Sequence, residues 1–237
     1  MYNNNPLKRL YNILTELCKC RSIDANKGFS EIFNLDEEDK YSILICYADL
    51  FKLCDESKAL IKKCPVNNEK FINPIDKAIY ALSIIDFNSP SGLRDFRHSL
   101  NNTVMTSLDL GAEMLTFQIN EPTIDDNSLK QIYEDLNNLK TFIIDNEINI
   151  DLKDILITDL NNMIYTIDRY KLFGVSGIKA ELSKSLGNIL INKDLVKTEN
   201  EHSVVEKVFK SMSKINTIIS FNNNLSNLLT GFLNLIN

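Results

Sequence analysis

The chain has no tryptophan, only two histidines, seven glycines and five prolines in 237 residues. A β-rich chain of this length needs more turn residues than that, so long helices are the expected alternative. Metal sites, catalytic triads and most acid–base pairs draw on histidine, and His98 and His202 are a thin supply. No HExxH, CxxC, GxSxG, Walker A or GxGxxG pattern occurs, which removes the zinc-hydrolase, nucleophile-elbow and nucleotide-loop signals. No cofactor and no metal is therefore expected. The apolar runs fall far short of the ~20 residues that span a bilayer, and no N-terminal run joins basic residues to an apolar stretch. The expectation is a cytoplasmic protein that does not enter the membrane.

What is present favours an ordered helical protein. Apolar residues make up 44% and charged residues 24%, enough for a substantial core in one large domain or two lobes. The net charge of −6 argues against binding nucleic acid or anionic membrane through the whole body, though not through a local basic face. Five cysteines (Cys18, Cys20, Cys46, Cys54, Cys64) lie in the first third, an odd number that is no disulfide framework. Cys18 and Cys20 are two apart, about 200° round a helix, so they share one ion only if the helix ends there.

Two lobes are expected, residues 1–118 and 123–237, with Glu121-Pro122-Thr123 as the linker. In the first, Pro6 opens a helix with Leu7, Leu10, Leu14 and Leu17 on one side. Asp24 to Gly28 reads as a turn, and a long helix runs from about Asp36, with its acidic first turn, to about Lys63. Pro74 reads as the start of the next helix, and Ser89-Pro90 as the cap and first position of another.

In the second lobe, Leu129, Ile132, Leu136, Leu139 and Ile143 form one helical face. Leu152, Leu156, Leu160, Met163 and Ile167 form a returning one. A loop this short between them predicts an antiparallel hairpin over 125–172. Residues 119–168 carry three lysines and eleven acids; residues 169–237 carry nine basic residues and five acids. The last helix, 201–236, keeps a heptad with Asn222 at an a-type position, which makes it a candidate for homo-oligomerisation. Val205, Met212, Ile219 and Leu233 widen its stripe, which favours burial in a bundle.

Three sets of residues are candidates for function. Arg94, Arg97 and His98 share one helix and are the candidate catalytic cluster of a helical ribonuclease or toxin. Ribonucleases of the HEPN type place about four to six residues between the arginine and the histidine. Here only three separate Arg94 from His98, so the spacing departs from that pattern. The paired carboxylates of 125–154 read as solvated helix faces, or as an acidic face for a basic partner.

The third set follows the hairpin: Arg169, Lys171, Gly174, Gly177, Lys179 and Lys184. Gly174 is expected to stop one helix in a left-handed conformation, and Gly177 to permit close approach as the next begins. The stretch Tyr165 to Leu190, with its two glycines between helices, resembles part of uncharacterised all-helical bacterial proteins of the mobile-element or antiphage-defence type. The resemblance implies a place in a mobile-element or defence system and assigns no residue. The expected fold is an all-α multi-helix bundle. The expected function is non-enzymatic protein–protein docking, as an adaptor, inhibitor or accessory subunit. Nucleic-acid binding through the basic segment 169–214 is the alternative.

Overall fold

The computed structural model describes residues 4–64, 69–117, 119 and 122–219. They form ten α-helices and one 3-10 turn, with no strand among the described residues. The chain divides into two compact units, Met1–Glu121 and Pro122–Asn237.

The first unit contains α1 (Pro6–Lys19), α2 (Ala25–Phe33), α3 (Lys40–Lys63), α4 (Glu69–Ser83), α5 (Arg94–Ser99) and α6 (Asn102–Thr116). Helix α1 packs against α2, α3 and α6, which explains why Leu7, Leu10, Leu14 and Leu17 are all fully buried. Asn5 caps α1 by accepting the Lys8 N–H at 2.9 Å, and its amide donates to Ala112 O of α6 at 2.9 Å. One small side chain thus ends one helix and ties it to another.

The helix boundaries differ from the sequence expectations in four places, each for a local reason. Asp24 is the N-cap of α2, accepting the Lys27 N–H at 3.1 Å, so residues 25–28 are helical. Helix α3 starts at Lys40, because Asp39 caps it and Asp36 folds a turn onto the Glu38 N–H. Pro74 lies inside α4, on its buried side, where tertiary packing outweighs the lost hydrogen bond. Ser89-Pro90 begins no helix; the chain there turns so tightly that a Cβ on Gly92 would lie 1.9 Å from Asp86 O, and α5 starts only at Arg94.

The second unit contains α7 (Asp126–Asp145), α8 (Ile150–Asp168), α9 (Tyr170–Ile191), a 3-10 turn (Lys193–Leu195) and α10 (Glu199–Ile218). Helix α8 packs on both α7 and α9, and α10 packs on α7. The apolar faces of all four meet in one core that includes Ile132, Leu156, Leu182 and Phe209. Val204, Val205, Val208, Met212, Ile215 and Ile219 are buried in that same core, so this part of the C-terminal stripe packs within its own unit. Asn222 and the rest of the 201–236 heptad beyond Ile219 lie outside the described residues.

Candidate docking surface

Arg97 is a clamp on the end of α1. Its guanidinium donates to Leu17 O at 3.2 Å, to Cys20 O at 2.8 Å and to Ser22 O, and lies 3.0 Å from Cys20 Sγ. A helix end leaves carbonyls without intrahelical partners and carries partial negative charge, and a guanidinium answers both. Burial raises the Cys20 thiol, with Arg97 opposing. Arg94 and His98 are exposed, and His98 Nδ1 lies 2.8 Å from the Arg94 carbonyl of its own helix. Arg97 and His98 are therefore engaged with different backbone carbonyls.

The segment after the α7–α8 pair is built for packing. Gly174 has φ 57° and ψ −161°, a conformation open essentially to glycine alone. Its φ is positive as expected, but its ψ is not that of the left-handed helix, and α9 resumes directly. A Cβ on Gly177 would stand 2.5 Å from Phe173 Cβ and 3.1 Å from Thr166 Cγ2, so the glycine sets the close crossing of α8 and α9. Arg169 joins the two helices with its guanidinium 4.1 Å from the Tyr165 ring centre. Burial raises the carboxyl of Asp168, and Arg169 opposes that shift. Lys184 pairs with Glu181 at 3.6 Å. Lys179 and Lys184 are five positions apart, about 140° round α9, so they do not share one edge. Lys171 is exposed on the far side of the Gly174 break.

The contrast between acidic and basic segments is partly internal. Lys214 of α10 reaches Asp135 of α7 at 2.5 Å, and Lys207 lies 3.5 Å from the centre of the Phe142 ring. Lys210 pairs with Glu206 at 2.6 Å. These lysines line a cleft of about 320 Å³ together with Asp135, Asn138 and Leu139. Part of the basic face is thus matched to the acidic helix inside the same unit.

At one end of this unit a buried carboxylate organises three backbone N–H groups. Glu201 Oε1 accepts from Asn149 at 3.0 Å, and Oε2 accepts from Lys197 at 2.8 Å and Thr198 at 2.9 Å. Thr198 Oγ1 accepts the Glu201 N–H in return, completing a capping box. The bond from Lys197 leads in lowering the Glu201 carboxyl to about 2; burial opposes it, and the Thr198 and Asn149 bonds add to it. Asn200 donates to Glu147 O at 2.7 Å, a second tie between the start of α10 and the α7–α8 connection. The pattern Thr-x-x-Glu at 198–201 was readable from the sequence; its long-range bond to Asn149 was not.

Helix α9 ends beside the start of α8, because Asn188 donates to Asp159 at 2.7 Å and Asn192 shares a cleft with Ile155 and Asp154. Four exposed aliphatic side chains sit at helix termini of this unit: Ile144 (52%) at the end of α7, Ile150 (65%) at the start of α8, and Leu190 (47%) and Ile191 (80%) at the end of α9. Sequence periodicity missed them, since Ile144, Leu190 and Ile191 sit beside core positions in unbroken apolar runs.

Compared with protein-family models, with curated proteins and with solved structures, the chain matches none. Among the described residues, no group of three or more His, Cys, Asp or Glu side chains is placed to hold a metal ion. No helix among them is long and apolar enough to cross a membrane.

Proposed function

We propose that this is a non-enzymatic helical interaction protein, an adaptor, inhibitor or accessory subunit, which docks another protein through the end of its second unit. The observation that carries the reading is the exposure of Ile144, Ile150, Leu190 and Ile191 at helix termini of this unit, with the α7–α8 connection held by Glu201 and Asn200. Scattered apolar residues are ordinary on a surface, whereas a group on a rigid frame favours burial by a partner. Covering a largely exposed isoleucine contributes about 1–2 kcal/mol, so a few such contacts form the centre of an interface. The helix-Gly-helix stretch at 165–190 supports placing this accessory role in a bacterial defence or mobile-element system; the genes beside its own test that placement.

The experiment is affinity capture from the host with the wild-type chain and with the double variant Ile150→Asp/Ile191→Asp. Both side chains are exposed, so the variant keeps its fold, which circular dichroism checks. A protein retained by the wild type and lost by the variant is the expected result. The same proteins held equally by both would sink the reading. Sedimentation of the purified chain shows whether a second copy competes for the surface.

A further inference from the structure

The interface of α8 and α9 holds a carboxylate that the fold leaves half used. Asp159 is only 3% exposed, and its Oδ1 accepts the Asn188 amide N–H at 2.7 Å. Its Oδ2 is buried with no hydrogen-bond partner among the described residues. A buried carboxyl oxygen left without a hydrogen bond is costly, and helix packing alone would favour an apolar residue there. Asp159 instead forms part of the wall of a cleft of about 310 Å³, with Asp154, Ile155, Thr158, Asn188 and Asn192. Asn192 donates its amide N–H to Asn188 O at 2.8 Å, which leaves its side-chain oxygen as an acceptor. Among the described residues the lining thus offers two carboxylates, a hydroxyl and amide oxygens, and no cationic side chain.

We infer that this cleft is a binding site for an ammonium or guanidinium group, whose N–H donors pair with the Asp159 carboxylate. A donor-rich cation supplies both the missing charge and the missing hydrogen bond. A hard metal ion fits less well, because it needs about six oxygens converging at short distance, and these residues include only two carboxylates. Ile155 gives the methylene stem of an amine an apolar wall. The cation comes either from a free amine or guanidine, or from a Lys or Arg side chain of a docked protein. The second source rests on the docking reading above: Ile150 lies one turn before Asp154 on α8, and exposed Ile191 adjoins Asn192.

The test is an NMR titration of the isotope-labelled full chain with n-butylammonium and n-butylguanidinium, and with tetramethylammonium, which has charge but no N–H. Saturable shifts of the Asn188 and Asn192 side-chain amides are expected with the first two only. The isosteric Asp159→Asn should weaken them at least tenfold. No saturation with either N–H cation, equal shifts with tetramethylammonium, or undiminished binding in Asp159→Asn would each overturn the site. Should Asp159→Asn fail to fold, Thr158→Lys places an ammonium on the cleft wall. It should abolish butylammonium binding, and unchanged affinity would count against the site. A lysine-containing peptide held more tightly than butylammonium by the wild type, but not by Ile150→Asp/Ile191→Asp, identifies a protein side chain as the source. Equal affinity identifies a free amine. Butylammonium binding with no partner captured leaves this site standing while the docking reading falls.

Discussion

Glu201 accepts the backbone N–H of Asn149, 52 residues upstream, at 3.0 Å. Asn149 is itself the N-cap of α8, so a side chain in the first turn of α10 holds the start of another helix. Local capping and long-range packing meet in a single carboxylate, and its chemistry governs how this unit answers to acid.

Because the Glu201 carboxyl is lowered from an ordinary 4.5 to about 2, its contribution to stability is complete above pH 4.5. That contribution is lost as pH falls through that window toward 2. Glu201→Ala should cost about 2 kcal/mol at pH 7, from a lost cap and unpaired backbone N–H groups. Urea unfolding of wild type and variant from pH 7 to pH 2 checks both. The gap between the two curves should close on the acid side, and a constant gap would contradict the assignment.

Arg97→Ala should destabilise the first unit by about 2–3 kcal/mol, since it strips the carbonyls of Leu17, Cys20 and Ser22 of a charged donor. His98→Ala, at an exposed position, should stay within about 0.5 kcal/mol of wild type. Thermal unfolding measures both. An RNA-cleavage assay on His98→Ala separately tests the ribonuclease alternative; if the wild-type chain cleaves RNA and the variant does so equally well, His98 has no catalytic role.

Three glycines of α9 should respond in opposite directions to alanine. Gly174→Ala places a side chain at φ 57°, and Gly177→Ala places a Cβ 2.5 Å from Phe173 Cβ. Each should cost about 1–3 kcal/mol. At Gly187 an added Cβ meets nothing within 4 Å, so Gly187→Ala should stabilise by about 0.5–1 kcal/mol through helix propensity alone. Denaturant midpoints of the three variants decide this.

Burial pushes the Cys54 thiol up to about 12, with Asp55 adding and Lys58 opposing. The thiolate is the reactive form, so at pH 8 Cys54 should resist a thiol reagent until the protein unfolds. Mass-spectrometric mapping of labelled cysteines in native buffer and in urea reads this directly. Rapid native labelling of Cys54 would show that α3 opens far more readily than its packing implies.

The helical character of this chain was legible because it is written at short range. The spacing of Leu7, Leu10, Leu14 and Leu17, or of Ile132, Leu136, Leu139 and Ile143, commits each segment to a helix with one buried face. Scarcity of glycine and proline points the same way. Boundaries were less legible, because Asp36 to Asp39 offers several competing caps and only the tertiary fold selects Asp39.

Sequence alone determined the all-α class and the buried stripes, since periodicity is a property of neighbours three and four positions apart. Tertiary structure decided everything that depends on residues far apart along the chain. It turned Arg97 onto the end of α1 and set lysines of α10 against the acidic face of α7. It also left Asp159 half paired in a cleft and four aliphatic side chains exposed at helix termini of the second unit. The physical reason is that a side chain's partners are chosen by how helices cross, and crossings are fixed by packing over the whole core.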